Sequence, residues 1–187
     1  MARLIKAAGP VTLRDPHPDH FAALVRSIMF QQLAGKAAMA IHARFLALFA
    51  GDLSPAAVLA LEEGAMRTAG VSGPKSAAIT DLARKVLDGT VPLHDVDSLS
   101  DDELVERMVQ VRGIGRWTAE MFLLFQLGRP DVWPVDDYGV RKGWAMAHGL
   151  KDLLSPRAMQ AEGERFRPYR SIAAWYCWRA VDTLVPD

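Results

Sequence analysis

The sequence predicts an all-α fold on three observations. Half of the residues are hydrophobic, alanine and leucine dominate, and runs of β-branched residues are few, a balance that favours helix over strand. Apolar residues recur at helical spacing along most of the chain. The breaks between these stretches are short and rich in Gly, Pro and Asp. At 187 residues the chain is long enough for one sizeable core or two small lobes sharing one.

The elements follow in order. His20 to Phe49 carries helical spacing and reads as two helices broken near Gln32–Gly35. Ser54-Pro55 opens the next helix, with proline at its first position. Gly70 to Lys75 reads as a glycine-rich turn and Ser76 to Leu87 as a helix, followed by a loop from Asp88 to Leu99. In SDDELVERMVQV, Ser100 and Glu103 have capping-box spacing, with acids in the first turn. The helix they start runs into VRGIGRWTAEMF, and a second helix leaves that stretch from about Thr118 to Leu127. Gly128 to Pro134 is a Gly/Pro loop. Asp137 to His148, Ser155 to Phe166 and Ile172 to Leu184 complete the expected helices.

Net charge is zero, with 22 basic and 22 acidic side chains, which by itself is no signature of a nucleic-acid binder. The distribution is uneven: the middle of the chain is acidic and both flanks are mildly basic, which permits a DNA-facing surface without requiring one. The single cysteine, Cys177, excludes an internal disulfide and any four-cysteine zinc or iron–sulfur site, and fits a reducing, cytoplasmic compartment. The five histidines, His17, His20, His42, His94 and His148, show no ligand spacing, so no catalytic metal is expected. MARLIKAAGP lacks a long apolar segment, so no signal peptide is read, and no apolar run is long enough to span a membrane.

Helix, then Gly113-Ile114-Gly115, then helix is a tight hairpin. Glycine allows positive φ and close backbone approach. The amides around Gly113 and Gly115 and at the start of the second helix are donors without helical partners, able to hold a phosphate, and Arg112 and Arg116 add charge. A plain steric turn explains the glycines equally well. A dinucleotide fingerprint fits poorly, because the motif follows a helix and not a strand. Further on, VWPVDDYGVRKG places Asp136 and Asp137 at a helix start, where aspartates commonly serve as caps.

Hairpin, Gly/Pro loop and aspartate together resemble the helix–hairpin–helix DNA glycosylase superfamily. The resemblance covers most of the chain in five stretches in the right order: HFAALVRSIMFQQLAGKAA, GVSGPKSAAITDLA, VRGIGRWTAEMF, VWPVDDYGVRK and FRPYRSIAAWYCW. The last is similar to the end of the bacterial 3-methyladenine DNA glycosylase II branch. The large amino-terminal β domain of the best-known bacterial member has no counterpart in these residues. The resemblance implies a two-lobed fold, with one helical lobe at 21–127 and the other formed by 1–20 plus 128–187, and the active site in the cleft between them.

It also implies roles. The family's catalytic aspartate is followed three residues later by Ile or Val, a register that Asp137 and Val140 fit and that Asp136 and Gly139 do not. Catalysis is therefore assigned to Asp137, and a capping or orienting role to Asp136. Trp117 and Trp178 are the pocket aromatics, with Met121 where the best-known bacterial relative has tyrosine and Tyr138 beside the aspartate. Trp144 and Trp175 are expected in the core. The plug that fills the space of a flipped base lies in Phe30-Gln31-Gln32-Leu33, with Gln32 at the wedge position; a polar turn between two helices would account for the same letters. DNA contacts are expected from Gln31, Gln32, Leu33, Arg112, Gly113, Gly115, Arg116 and Thr118. The family's hairpin carbonyls often hold a structural monovalent cation, and the matching carbonyls are those of Val109, Val111 and Ile114.

In the bifunctional branch a lysine stands where this chain has Trp117. The resemblance thus implies a monofunctional enzyme, without cofactor, that flips alkylated purines such as 3-methyladenine or 7-methylguanine from duplex DNA and hydrolyses the N-glycosidic bond. A monomer in the bacterial cytosol, acting on damaged double-stranded DNA and not on membranes, is the expected setting. Two alternatives remain open: a monofunctional glycosylase for another damaged base, and a non-catalytic DNA-binding module that uses the hairpin as a phosphate clamp.

Overall fold

The computed structural model describes residues 2–13 and 15–183, and every regular element among them is helical. The chain divides into two compact units: His17–Phe122, and Met1–Pro16 with Leu123–Asp187.

The first unit begins with α2 (His20–Phe30), capped by Asp19, whose carboxylate accepts the Ala22 amide at 2.6 Å; α1 (Ala2–Ala8) belongs to the second unit. The apolar spacing of α2 buries Phe21, Leu24, Val25, Ile28 and Met29. It packs on α3 (Gly35–Leu46) and α6 (Gly73–Leu87). Proline at the first turn starts α4 (Pro55–Leu59), where Ser54 accepts the Ala57 amide, and α4 also packs on α6. A single turn, α5 (Ala65–Thr68), was not anticipated; four residues are too few for periodicity to register. Helix α6 starts at Gly73, three residues before its expected start. Gly73 and Pro74 form its first turn, where proline's missing N–H costs no hydrogen bond. On α7 (Asp101–Met108) the capping box is present: Ser100 Oγ accepts the Glu103 amide at 3.3 Å, and Glu103 accepts the Ser100 amide at 2.9 Å. The hairpin follows, then α8 (Arg116–Phe125), two residues ahead of its expected bounds at both ends; the division between the units falls within it.

The second unit is built on α9 (Tyr138–His148) and α11 (Arg170–Thr183), packed on one another. Glycine makes their close approach possible, since a β-carbon at Gly143 would run into the Cys177 carbonyl. Fully buried there, the Cys177 thiol is pushed up to about 12 by desolvation and by the charge of Asp137, so it stays protonated and inert. Helix α10 (Pro156–Gly163) starts from a Ser155 cap, and a turn of 3-10 helix, Glu164–Phe166, completes the expected span. Trp144 and Trp175 are buried, as expected. Helix α1 (Ala2–Ala8), unforeseen in the sequence, packs Leu4 against Trp175, Tyr176 and Ala180 of α11. The segment after it is latched by two side-chain hydrogen bonds from α11: the Trp175 indole donates to Thr12 O and the Tyr176 hydroxyl to Gly9 O. The expected helix end at Leu184 lies outside the described residues.

Candidate active site

In the second unit the Gly/Pro loop is irregular but firmly anchored. Asp131 accepts from Arg170 Nε at 2.7 Å and from Arg167 Nη1 at 2.8 Å. Ser171 Oγ donates to Arg129 O at 2.6 Å and accepts the Val132 amide at 2.9 Å, and the Trp133 indole donates to Met159 O at 2.7 Å. Burial alone would raise the Asp131 carboxyl, but hydrogen bonds and charge from Arg170, with the charge of Arg167, outweigh it and hold the carboxyl below the usual carboxylate range. A loop fixed at so many points delivers the next residues with little freedom.

Those residues are the two aspartates. Asp137 caps α9, and its Oδ1 accepts the Val140 amide at 2.7 Å. The same oxygen accepts the Trp178 indole N–H of α11 at 2.8 Å. Asp137 is only 8% exposed, so the carboxylate is both partly desolvated and oriented by two donors on rigid elements. Gly139 makes room for the indole: a β-carbon there would stand 2.7 Å from Trp178 Cδ1. The cap therefore belongs to Asp137. The capping role expected of Asp136 is corrected, because the helix begins one residue later than that role requires and Asp136 is exposed.

Trp178 also lies 5.4 Å from Phe125, ring centroid to centroid, with the rings tilted by 32°. Both line a cavity of about 720 Å³ with Thr12, Leu13, Trp175 and Arg179, within the range of small-molecule sites. Of the expected pocket residues, Trp178 lines it. Tyr138, the first residue of α9, is 65% exposed.

In the first unit, Trp117 is 47% exposed in the opening turn of α8 and Met121 is partly buried one turn on. At the hairpin, Gly113 has φ of 79°, and its place close to Ala78 leaves a β-carbon only 3.3 Å from that methyl. Gly115 has open space around it. The amides of Gly113 and Gly115 donate to no group among the described residues. The Arg112 amide, by contrast, donates to Asp81 Oδ2 at 2.7 Å. Burial would raise the Asp81 carboxyl, but this hydrogen bond and Lys85 hold it below its ordinary value. Arg116 pairs through Nε with Glu120 Oε1 at 2.9 Å.

Two expected contacts change character. Thr118 is 5% exposed, so its hydroxyl is removed from the outward-facing set and only its backbone remains near the helix start. Gln31 is engaged within the protein, its Nε2 donating to Gly113 O at 3.1 Å. Gln32 and Leu33 are exposed, and Gln32 sits at φ of 56°. Sequence reasoning missed Asp81, Lys75 and the buried Glu120. Their signal was weak: Asp81 and Lys75 occupy a helix whose mixed surface reads as solvated, and Glu120 interrupts an apolar run without a motif of its own.

Residues 25–168 match the HhH-GPD superfamily of base excision DNA repair proteins. Over 186 residues the chain is 33% identical to DNA-3-methyladenine glycosylase 1 of Schizosaccharomyces pombe, covering 95% of this chain and 80% of that one. A crystal structure of a DNA-3-methyladenine glycosidase from Bacillus halodurans superposes with a TM-score of 0.91 at 34% identity, covering 98% of this chain and 84% of the other. The S. pombe 3-methyladenine DNA glycosylase in complex with abasic DNA superposes with a TM-score of 0.80 at 34% identity, covering 95% and 88%. An all-helical chain with the hairpin and the capped aspartate, matched over these lengths, belongs to the HhH-GPD superfamily of base excision DNA repair proteins.

Proposed function

We propose that this chain is a DNA repair glycosylase that flips alkylated purines out of duplex DNA and hydrolyses their N-glycosidic bond, leaving an abasic site without cutting the strand. The observation that carries the proposal is the Asp137 carboxylate, 8% exposed and held on one oxygen by the Val140 amide and the Trp178 indole. It is supported by the likeness to proteins named as 3-methyladenine glycosylases.

The chemistry needs one fixed carboxylate. As the C1′–N bond breaks, its electron pair leaves with the base and positive charge builds on the sugar. An oriented carboxylate stabilises that charge and directs a water to C1′, whose surplus proton passes to the carboxylate or to solvent. An N-alkylated purine starts cationic and departs neutral, so no strong general acid is required. Flipping costs a few kcal/mol, less for a damaged base, and Gln32 and Leu33 on their exposed loop fill the space vacated. Trp178, which lines the cavity beside Asp137, receives the base; stacking of a cationic base on electron-rich rings contributes about 0.5–2 kcal/mol. Trp117 in place of an attacking lysine leaves water as the nucleophile.

The amides of Gly113 and Gly115 with Arg112 and Arg116 hold the DNA backbone. The carbonyls of Val109, Val111 and Ile114 are neutral oxygen donors, which suit a hard monovalent cation. Val111 O accepts the Ile114 amide at 3.0 Å and keeps a second lone pair. A cation there would add positive charge beside a phosphate. The protein acts as a monomer on damaged double-stranded DNA.

The test is incubation of purified protein with methylated duplex DNA. The expected products are free 3-methyladenine or 7-methylguanine and strand breaks that appear only after hot alkali. Breaks without alkali would contradict the monofunctional chemistry, and tight binding with no released base would leave a phosphate clamp.

A further inference from the structure

Lys75 has no part in the proposed chemistry, yet its ammonium is held by two backbone carbonyls. From the first turn of α6 its Nζ donates to Met29 O at 2.6 Å and to Gln31 O at 2.8 Å. These carbonyls close the carboxyl-terminal end of α2, where backbone acceptors lack helical partners and the helix dipole is negative. Desolvation lowers the Lys75 ammonium from its ordinary value, so it gives up hydration to make these bonds.

The segment it holds is Gln31-Gln32-Leu33. Gln32 adopts a left-handed backbone at φ of 56°, a conformation that is strained for a non-glycine residue and persists only where its surroundings impose it. A cavity of about 230 Å³, lined by Met29, Gln31, Gln32, Leu33, Ile41 and Lys75 among others, borders the loop and leaves that side of it open. The constraint is polar: Lys75 on the Gln31 carbonyl, and the Gln31 side chain on Gly113 O.

The same helix holds the hairpin. Ala78, one turn after Lys75, lies against Gly113, and Asp81, a turn further, accepts the Arg112 amide. Positions three residues apart are neighbours on a helix surface, so Lys75, Ala78 and Asp81 follow one another along a row on α6. That row meets the exposed loop at one point and the hairpin at two, and Gln31 bridges the two segments directly.

We propose that Lys75 is a positioning residue for base flipping: it fixes the Gln31–Leu33 loop in the conformation that enters DNA and, through Gln31, ties that loop to the hairpin that holds the phosphate. The inference rests on the glycosylase activity proposed above. It assigns Lys75 to insertion and not to bond breaking, so its loss should matter only where a paired base must be displaced.

The experiment compares single-turnover excision of 7-methylguanine from two duplexes at saturating protein. In one the lesion faces cytosine; in the other it faces a tetrahydrofuran abasic analogue, so that no pairing opposes flipping. Lys75→Met keeps the aliphatic stem and removes the donors. The expected result is a loss of about tenfold or more on the paired duplex and a change within about threefold on the unpaired one. Gln31→Leu, which leaves Lys75 intact and breaks the link to Gly113, should show the same split and stands in if Lys75→Met does not fold. An equal loss on both duplexes, or no loss on either, overturns the assignment. Failure of the unaltered protein to excise from either duplex would instead bring down the glycosylase reading, and this inference with it.

Discussion

At the scale of single residues, one oxygen carries much of the account. Asp137 Oδ1 caps α9 and receives the Trp178 indole, so the aspartate is a structural cap and a candidate catalytic group at once. The carboxylate of a helix cap is locked in rotamer by its backbone donor, which makes it a pre-oriented charge. Trp178→Phe removes the second donor while keeping most of the ring. Excision should fall about tenfold in rate, in line with loss of one hydrogen bond to a charged group, while Kd for DNA changes little. A fall in affinity with an unchanged rate would make Trp178 a stacking surface only. In the sequence, Asp137 is singled out by the register that the family resemblance supplies. The division of labour between Asp136 and Asp137 was not, because cap geometry depends on where the first helical residue falls, and two adjacent aspartates compete for that place.

At the scale of elements, the hairpin and α6 divide the work. Gly113 is required by its own backbone and by Ala78, whereas Gly115 has open space around it. The two glycines should therefore respond differently to valine. Gly113→Val should destabilise the fold by about 2 kcal/mol or more, since a β-branched residue is strained at positive φ. Gly115→Val should leave thermal stability nearly unchanged and weaken binding to all DNA sequences alike, because it blocks close approach to a phosphate. Unchanged DNA affinity in a folded Gly115→Val protein would remove the hairpin from the account. The helices were legible from periodicity and caps, as Ser54, Ser100 and Ser155 illustrate. What escaped was short or polar. Helix α5 has four residues and α1 seven, and Lys75 reads as turn punctuation because Gly-Pro precedes it.

At the scale of the whole molecule, each unit holds a carboxylate below its ordinary titration range: Asp81 at the hairpin and Asp131 on the Gly/Pro loop. A carboxyl held below its unfolded value contributes stability that is present above the unfolded pKa and lost as pH falls through the folded one. Stability should therefore drop as pH falls below about 4. Asp131→Asn, which gives up two arginine pairs, should cost about 2 kcal/mol at pH 7 by urea unfolding, and its deficit should shrink towards pH 3. A deficit independent of pH would show that these ion pairs contribute nothing through charge. The all-α architecture was legible in composition and spacing alone. The polar scaffold was not, because Asp131–Arg170 and Gln31–Gly113 join residues 39 and 82 positions apart, and no local pattern encodes such pairings.

The most direct measurement of the central claim is single-turnover excision of 7-methylguanine from duplex DNA by the unaltered protein, Asp137→Asn and Asp136→Asn side by side, with DNA affinity measured on each. Asparagine caps helices as well as aspartate does, so both variants should fold and bind DNA. Asp137→Asn should lose excision by about a hundredfold or more, the scale on which a single electrostatic stabiliser acts, while Asp136→Asn keeps most of it. Full excision by Asp137→Asn, or its loss in Asp136→Asn alone, would contradict the assignment.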